Sequence, residues 1–269
     1  MNKKNGLIAL YIIVILVILG VKVPHLFEKK TPFGDSPQEV VSADTLSYRF
    51  DTLTLGSKND TTPYLWVQVA GISLTDSSSG SKKMARSVSK VSYAILFGDT
   101  LETNETFTEG FEKGYAQYSA EKPEHQSWEM TLGLTPLSST SKLFSLGVSF
   151  YSFTGGAHGN YGTLNLIFDI HTGDQITFGD IVSRENLSAL TKLGEEQFRM
   201  DKEIAPDSSL HDAGYWFDKD EFVLCSNVGL TDSSLVFYYS PYEIAPYALG
   251  ATTLEIPLTK CQSLLSIEL

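Results

Sequence analysis

The chain has 269 residues, 42% of them hydrophobic, with 20 basic and 32 acidic side chains and a net charge of −12. The first thirty residues hold five Lys and one Glu, so everything after them carries 15 basic against 31 acidic groups. A surface of that sign repels phosphate backbones and anionic lipid, which excludes nucleic acid as a partner; it keeps a domain soluble or attracts a basic protein.

Lys3 and Lys4 precede an uncharged run from Asn5 to Val21 that is almost wholly apolar from Leu7 onward. A spanning helix takes about 20 apolar residues, a length that residues 7–23 approach when Lys22 snorkels and Val23 is added. The run ends Leu19, Gly20, Val21, Lys22, Val23, Pro24, without the small-residue pattern of a cleavage site, so residues 1–23 predict an uncleaved signal anchor. No cysteine stands near its end, which disfavours a lipid-anchored form. With only a few residues before the span, the large part of the chain is expected outside the cytoplasm, periplasmic or at the cell surface; Lys22, Lys29 and Lys30 weaken the charge contrast behind this orientation. Residues 24–44, rich in charge, Pro, Ser and Gly, read as a linker. Residues 45–269 read as the extracytoplasmic domain, with subdomains at 45–122 and 123–269.

Within that domain, residues 46–56 and 63–74 are β-branched, aromatic and partly alternating, and predict strands. Helices follow at 82–97 and 106–121, the second with Phe107, Phe111, Tyr115 and Tyr118 spaced for one face. Strand-like runs at 126–136, 142–153 and 161–170, separated by Ser- and Gly-rich turns, form the pattern of an antiparallel meander. His171-Thr-Gly-Asp174 is a tight-turn signal, and a helix over 184–200 follows with Leu187, Leu190, Leu193 and Phe198 as apolar positions. A strand pair at 221–226 and 234–239, a strand at 252–256 and a short helix after Pro257 complete the chain. Strands and helices segregate, so the class is α+β: an antiparallel sheet packed against helices, preceded by a transmembrane helix.

Cys225 and Cys261 fall where disulfides can form, and read either as a bridge or as two buried thiols. The five histidines lack ligand spacing and there is no CxxC or HExxH, so neither metal nor cofactor is expected.

Two segments are unlike ordinary core. Tyr151-Ser-Phe-Thr-Gly-Gly-Ala-His-Gly-Asn-Tyr161 breaks a strand with Gly155, Gly156 and Gly159 around His158. It is either a hairpin turn or a place where another chain or ligand comes near. Phe237-Tyr-Tyr-Ser-Pro-Tyr-Glu-Ile-Ala-Pro-Tyr-Ala-Leu-Gly250 surrounds Glu243 with four tyrosines and two prolines. That composition suits recognition, and equally a rigid corner between strands.

The pair YSFTGGAHG and PYEIAPYALG, with the spacer HTGDQITFGDIV and the strand TTLEIPL, resembles the extracytoplasmic domain of RsiV-type anti-sigma factors, which bind lysozyme. The same domain type precedes the catalytic domain of some peptidoglycan deacetylases. The resemblance implies a sheet packed against helices, and a lysozyme-like or cell-wall partner outside the membrane. It does not extend to a sigma-factor-holding segment, for which no room precedes the anchor, nor to a catalytic domain after Leu269.

These readings together lead to a membrane-anchored binding or sensing module. Its expected contacts are His158, Gly159, Asn160 and Tyr161 in one loop and Tyr242, Glu243, Pro246 and Tyr247 in the other, with Gly155, Gly156 and Gly250 shaping the backbone. The alternative is a cell-envelope hydrolase, or an accessory to one, in which Glu243 orients His158 as a base; it lacks a nucleophile, since Ser152 and Ser240 lie in no GxSxG elbow. A third reading makes the module an envelope spacer whose motifs only stabilise turns.

Overall fold

Strand periodicity over most of residues 48–169 builds one seven-stranded sheet: β1 (Glu39–Val40), β2 (Tyr48–Gly56), β3 (Leu65–Leu74), β4 (Trp128–Ser139), β5 (Leu143–Phe153), β6 (Asn160–Asp169) and β7 (Gln175–Ile176), lying side by side in chain order. The computed structural model describes residues 39–40 and 46–269 except 60, 76, 103 and 104. The anchor expected at 1–23 and nearly all of the linker expected at 24–44 lie outside the described residues. Of that linker segment, Glu39 and Val40 pair with Arg49 and Tyr48 at the sheet edge. Among the described residues no helix is long and apolar enough to cross a membrane.

Every pairing in this sheet is antiparallel except β3–β4, which is parallel. A parallel neighbour requires a long crossover, and here it consists of α1 (Ser79–Phe97) and α2 (Phe107–Glu121). Ser78 caps α1 by accepting from the Ser81 N–H, and Gly98 closes it in the left-handed conformation. Thr106 and Glu109 form a capping box on α2. Val67, Val69, Leu132, Phe144 and Val148 of the sheet meet Met84, Val88 and Phe111 of the helices in the first core. The aromatic face expected on α2 packs there in full, with Phe111 completely buried and Phe107, Tyr115 and Tyr118 partly so.

The second unit holds α3 (Phe178–Ile181), α4 (Arg184–Asp201), β8 (Val228–Leu230), β9 (Ser234–Tyr239), β10 (Thr252–Pro257) and α5 (Leu258–Cys261), its strands ordered β10-β9-β8. The partner of β9 is therefore 228–230 and not the expected 221–226. That stretch is drawn out of the ladder because Phe222 packs against Phe198 and Phe217 in the second core. On α4 the buried stripe is Leu190, Gly194 and Phe198; Leu187, expected on it, lies on the same side of the helix but in its first turn, and stays 38% exposed.

Side chains join the two sheets where β7 ends and leaves the edge of β6 open. Asn227 accepts from the Asn165 N–H at 2.8 Å and donates to the Thr163 carbonyl at 2.7 Å, standing in for a neighbouring strand. The Ser145 hydroxyl accepts from the Leu230 N–H at 2.9 Å, and the Ser138 hydroxyl donates to Asp232 at 2.8 Å.

The bridge weighed for Cys225 and Cys261 is absent: both thiols are free. Each serves a different strand, Cys225 donating to the Tyr238 carbonyl at 3.4 Å and Cys261 to the Ile256 carbonyl at 3.9 Å. Burial raises both thiols, Cys225 to about 12, so the reactive thiolate is scarce at neutral pH. Reductant is therefore expected to leave the melting temperature unchanged, and alkylation read by mass spectrometry should label neither cysteine until denaturant is added. A reductant-induced fall in melting temperature would indicate a bridge.

Candidate functional site

The β5–β6 hairpin positions the first loop. Its ladder runs to Tyr151 opposite Tyr161 and Ser152 opposite Asn160, and residues 154–159 close it. Gly155 and Gly156 have φ of 102° and 98°, a region open to glycine and little else. A Cβ on Gly155 would occupy the Gln126 amide, and one on Gly159 would occupy the Tyr151 ring. The motif is thus a hairpin turn, but one whose glycines let side chains lie flat on its backbone.

The second loop is fixed at both ends. Ile244 and Ala245 are buried, and the Ile244 carbonyl accepts from the Trp216 N–H at 2.8 Å. The Glu243 carboxylate accepts from the Ser240 N–H at 2.7 Å and the Glu243 N–H returns to the Ser240 carbonyl at 3.0 Å, with Tyr242 held between them at φ 69°. Pro246 precedes a single turn, Tyr247–Leu249, which Gly250 closes at φ 72° with the Tyr161 hydroxyl beside it.

Between these loops the rings meet. His158 and Tyr247 stack with centroids 3.8 Å apart and planes 19° from parallel. Tyr161 stands edge-on to Tyr247 at 5.8 Å, and Tyr242 lies 5.4 Å from it on another side. The Gly159 carbonyl accepts from the Tyr247 hydroxyl at 2.8 Å and lies 3.0 Å from His158 Nδ1. A carbonyl can only accept, so Nδ1 carries a proton, and Nε2 faces the Tyr242 hydroxyl at 3.5 Å.

Of the expected contact residues, the fold thus gathers His158, Gly159, Tyr161, Tyr242 and Tyr247. Pro246 is exposed and shapes the turn. Asn160, adjacent to Tyr161 in a strand, points to the opposite face. Glu243 does not orient His158: its carboxylate turns back onto the Ser240 N–H, which removes the base-and-carboxylate pair on which the hydrolase alternative stood. Among the described residues no three His, Cys, Asp or Glu side chains are placed to hold a metal ion. Tyr151, overlooked in the sequence, joins the cluster against Gly159; its placement opposite Tyr161 in a hairpin is the signal that would have found it.

Burial, reinforced by Tyr161, Tyr151 and Tyr242, pushes the Tyr247 hydroxyl up to about 12, so it remains a neutral donor at physiological pH. Crowding of its carboxylate by the surrounding loop also raises Glu243, although the residue as a whole is exposed, and this outweighs the Ser240 N–H that favours its charged form. Since the folded state then holds this proton more tightly than the unfolded state, Glu243 favours folding at low pH, and that contribution is lost as pH rises through its raised pKa. Glu243→Gln is expected to flatten this fall while its amide oxygen still accepts from Ser240. Urea midpoints of both proteins between pH 4 and 7 check this; parallel pH profiles would refute it.

Residues 179–259 match the family model described as a protein of unknown function, DUF3298, and residues 78–161 match the one described as Deacetylase PdaC. The two loops of the site lie one in each matched segment. Among curated proteins no significant match was found. The fold is similar to that of a DUF3298 family member from Bacteroides fragilis (TM-score 0.67, 21% identity, 82% of this chain and 94% of that one). It is also similar to a DUF3298 family protein from Pseudomonas aeruginosa (TM-score 0.61, 17% identity, 82% of this chain and 95% of that one).

Proposed function

We propose that this chain is a recognition module held at the outer side of the cytoplasmic membrane by residues 7–23, and that it docks a basic, lysozyme-like envelope or secreted protein. The observation that carries the reading is the meeting of His158 and Tyr247, from loops on different sheets, in a stacked pair flanked by Tyr161 and Tyr242. Aromatic rings held by backbone hydrogen bonds lose little entropy when covered, which suits a docking face. The acidic surface favours a cationic partner and speeds its encounter. The RsiV-type resemblance of both loops points the same way, as an analogy of motif and fold.

The test is calorimetric titration of the full chain in detergent micelles with a basic lysozyme and, in parallel, with muropeptides, at low and moderate salt. Micromolar or tighter binding of the lysozyme, weakening only partly with salt, supports the reading. Binding of muropeptides alone would transfer the site to a cell-wall component, and heat from neither would remove the basic-partner assignment.

A further inference from the structure

Eight large apolar side chains stand out as exposed among the described residues, and five of them (Tyr151, Trp216, Val223, Tyr242 and Leu249) sit on the β5–β6 hairpin or on segments 211–223 and 240–250. Scattered exposed apolar residues mean little, but five on segments that hydrogen bonds tie to one another mark a contact surface. Trp216 is the largest of the five and is 48% exposed.

Its exposure is built in. Tyr215 and Phe217 on either side are buried in the second core, so the extended backbone between them turns the indole outward. The Trp216 N–H is tied to the Ile244 carbonyl, which joins this segment to the loop bearing Tyr242 and Tyr247. The Tyr239 hydroxyl donates to the Val223 carbonyl at 2.8 Å, and the His211 N–H donates to Asp220 at 2.8 Å, so both flanks are fixed as well. Around the indole the chain is acidic: residues 207–221 contain Asp207, Asp212, Asp218, Asp220 and Glu221 against Lys219 alone. Asp220 is spent on the backbone, while Asp212, Asp218 and Glu221 are exposed.

We infer that segment 211–223 is the second half of the docking surface, with Trp216 as its anchor. A Lys or Arg of a cationic protein covers the indole face while Asp212, Asp218 and Glu221 neutralise it. An exposed Trp in an acidic segment attracts a cation twice over, through the ring quadrupole and through charge. The inference rests on the basic-partner reading above and adds residues to it.

The test uses the full chain in detergent micelles with 15N-labelled indoles, titrated with a basic lysozyme and separately with a hexa-arginine peptide. The Trp216 indole resonance, identified by its loss in Trp216→Tyr, is expected to shift with both probes. Trp216→Ala should weaken lysozyme binding about tenfold and Trp216→Tyr much less, as for a cation on an aromatic face. Asp218→Asn with Glu221→Gln should slow association and reduce its salt dependence. If lysozyme binds and Tyr247→Ala weakens it while Trp216→Ala and the indole resonance are unaffected, this inference is overturned and the aromatic platform stands. If lysozyme does not bind but hexa-arginine still moves the indole, and fails to in the Asp218/Glu221 variant, the cation site stands while the platform reading falls. An indole that neither probe moves rejects the inference outright.

Discussion

Tyr247→Ala is expected to weaken capture of a basic partner by about 30- to 100-fold, the loss typical of a central aromatic at about 2–3 kcal/mol. The substitution removes the ring stacked on His158, the ring against which Tyr161 and Tyr242 stand, and the hydroxyl bonded to Gly159. Tyr247→Phe separates these contributions. It keeps every ring contact and removes one hydrogen bond to a carbonyl that still has His158 Nδ1 beside it, so a loss of only about threefold to tenfold is expected, near 1 kcal/mol. Both variants are to be compared by calorimetric titration after circular dichroism establishes that they are folded. A folded Tyr247→Ala that captures the partner like the parent chain would remove the ring cluster from the docking face. Equal losses in the two variants would instead assign the effect to the hydroxyl.

Gly173→Ala is expected to destabilise the protein by about 2–5 kcal/mol, through two effects that a control can separate. Gly173 closes the turn after β6 at φ 69°, where an L side chain costs about 1–2 kcal/mol. In addition, its Cβ would fall on the backbone of Gly80 in the first turn of α1, while a Cβ on Gly80 would fall on the His171 carbonyl. The two glycines allow backbone to touch backbone, and forcing them apart adds about 1–3 kcal/mol. The turn itself is rigid, since Asp169 accepts from the His171 and Thr172 N–H groups at 2.8 Å each. Gly98 has a similar φ of 67° but open space where its Cβ would stand, so Gly98→Ala should show only the conformational part. Urea denaturation of the two variants measures the difference. Losses of equal size would mean that the contact between the turn and α1 contributes nothing.

Much of this molecule could be read from the chain because its elements are set by local periodicity. The alternation in β2 to β6, the aromatic spacing of Phe107, Phe111, Tyr115 and Tyr118, and the Thr106–Glu109 cap each depend on residues a few positions apart. The motif pair was legible for a similar reason: glycines around His158 and prolines around Tyr242 to Tyr247 constrain the backbone wherever the chain goes. Misreadings occurred where distant contacts overrule local preference. Phe222 leaves the ladder for Phe198 and Phe217, and Glu243 turns to the Ser240 N–H instead of His158, whereas for Cys225 and Cys261 the choice between a bridge and two free thiols was open and the structure decides it for the thiols.

The sequence by itself determined the acidic surface, the α+β class, the elements up to the meander and the residues of the two signature loops. Tertiary structure alone decided that β3 and β4 run parallel beneath two helices, that His158 stacks on Tyr247, that Tyr151 joins them, and that Trp216 faces water. The reason is one of range. Composition and periodicity act over a few residues, whereas rings 89 positions apart meet only because the β5–β6 hairpin and the three-stranded sheet are joined through Asn227 and Ser145.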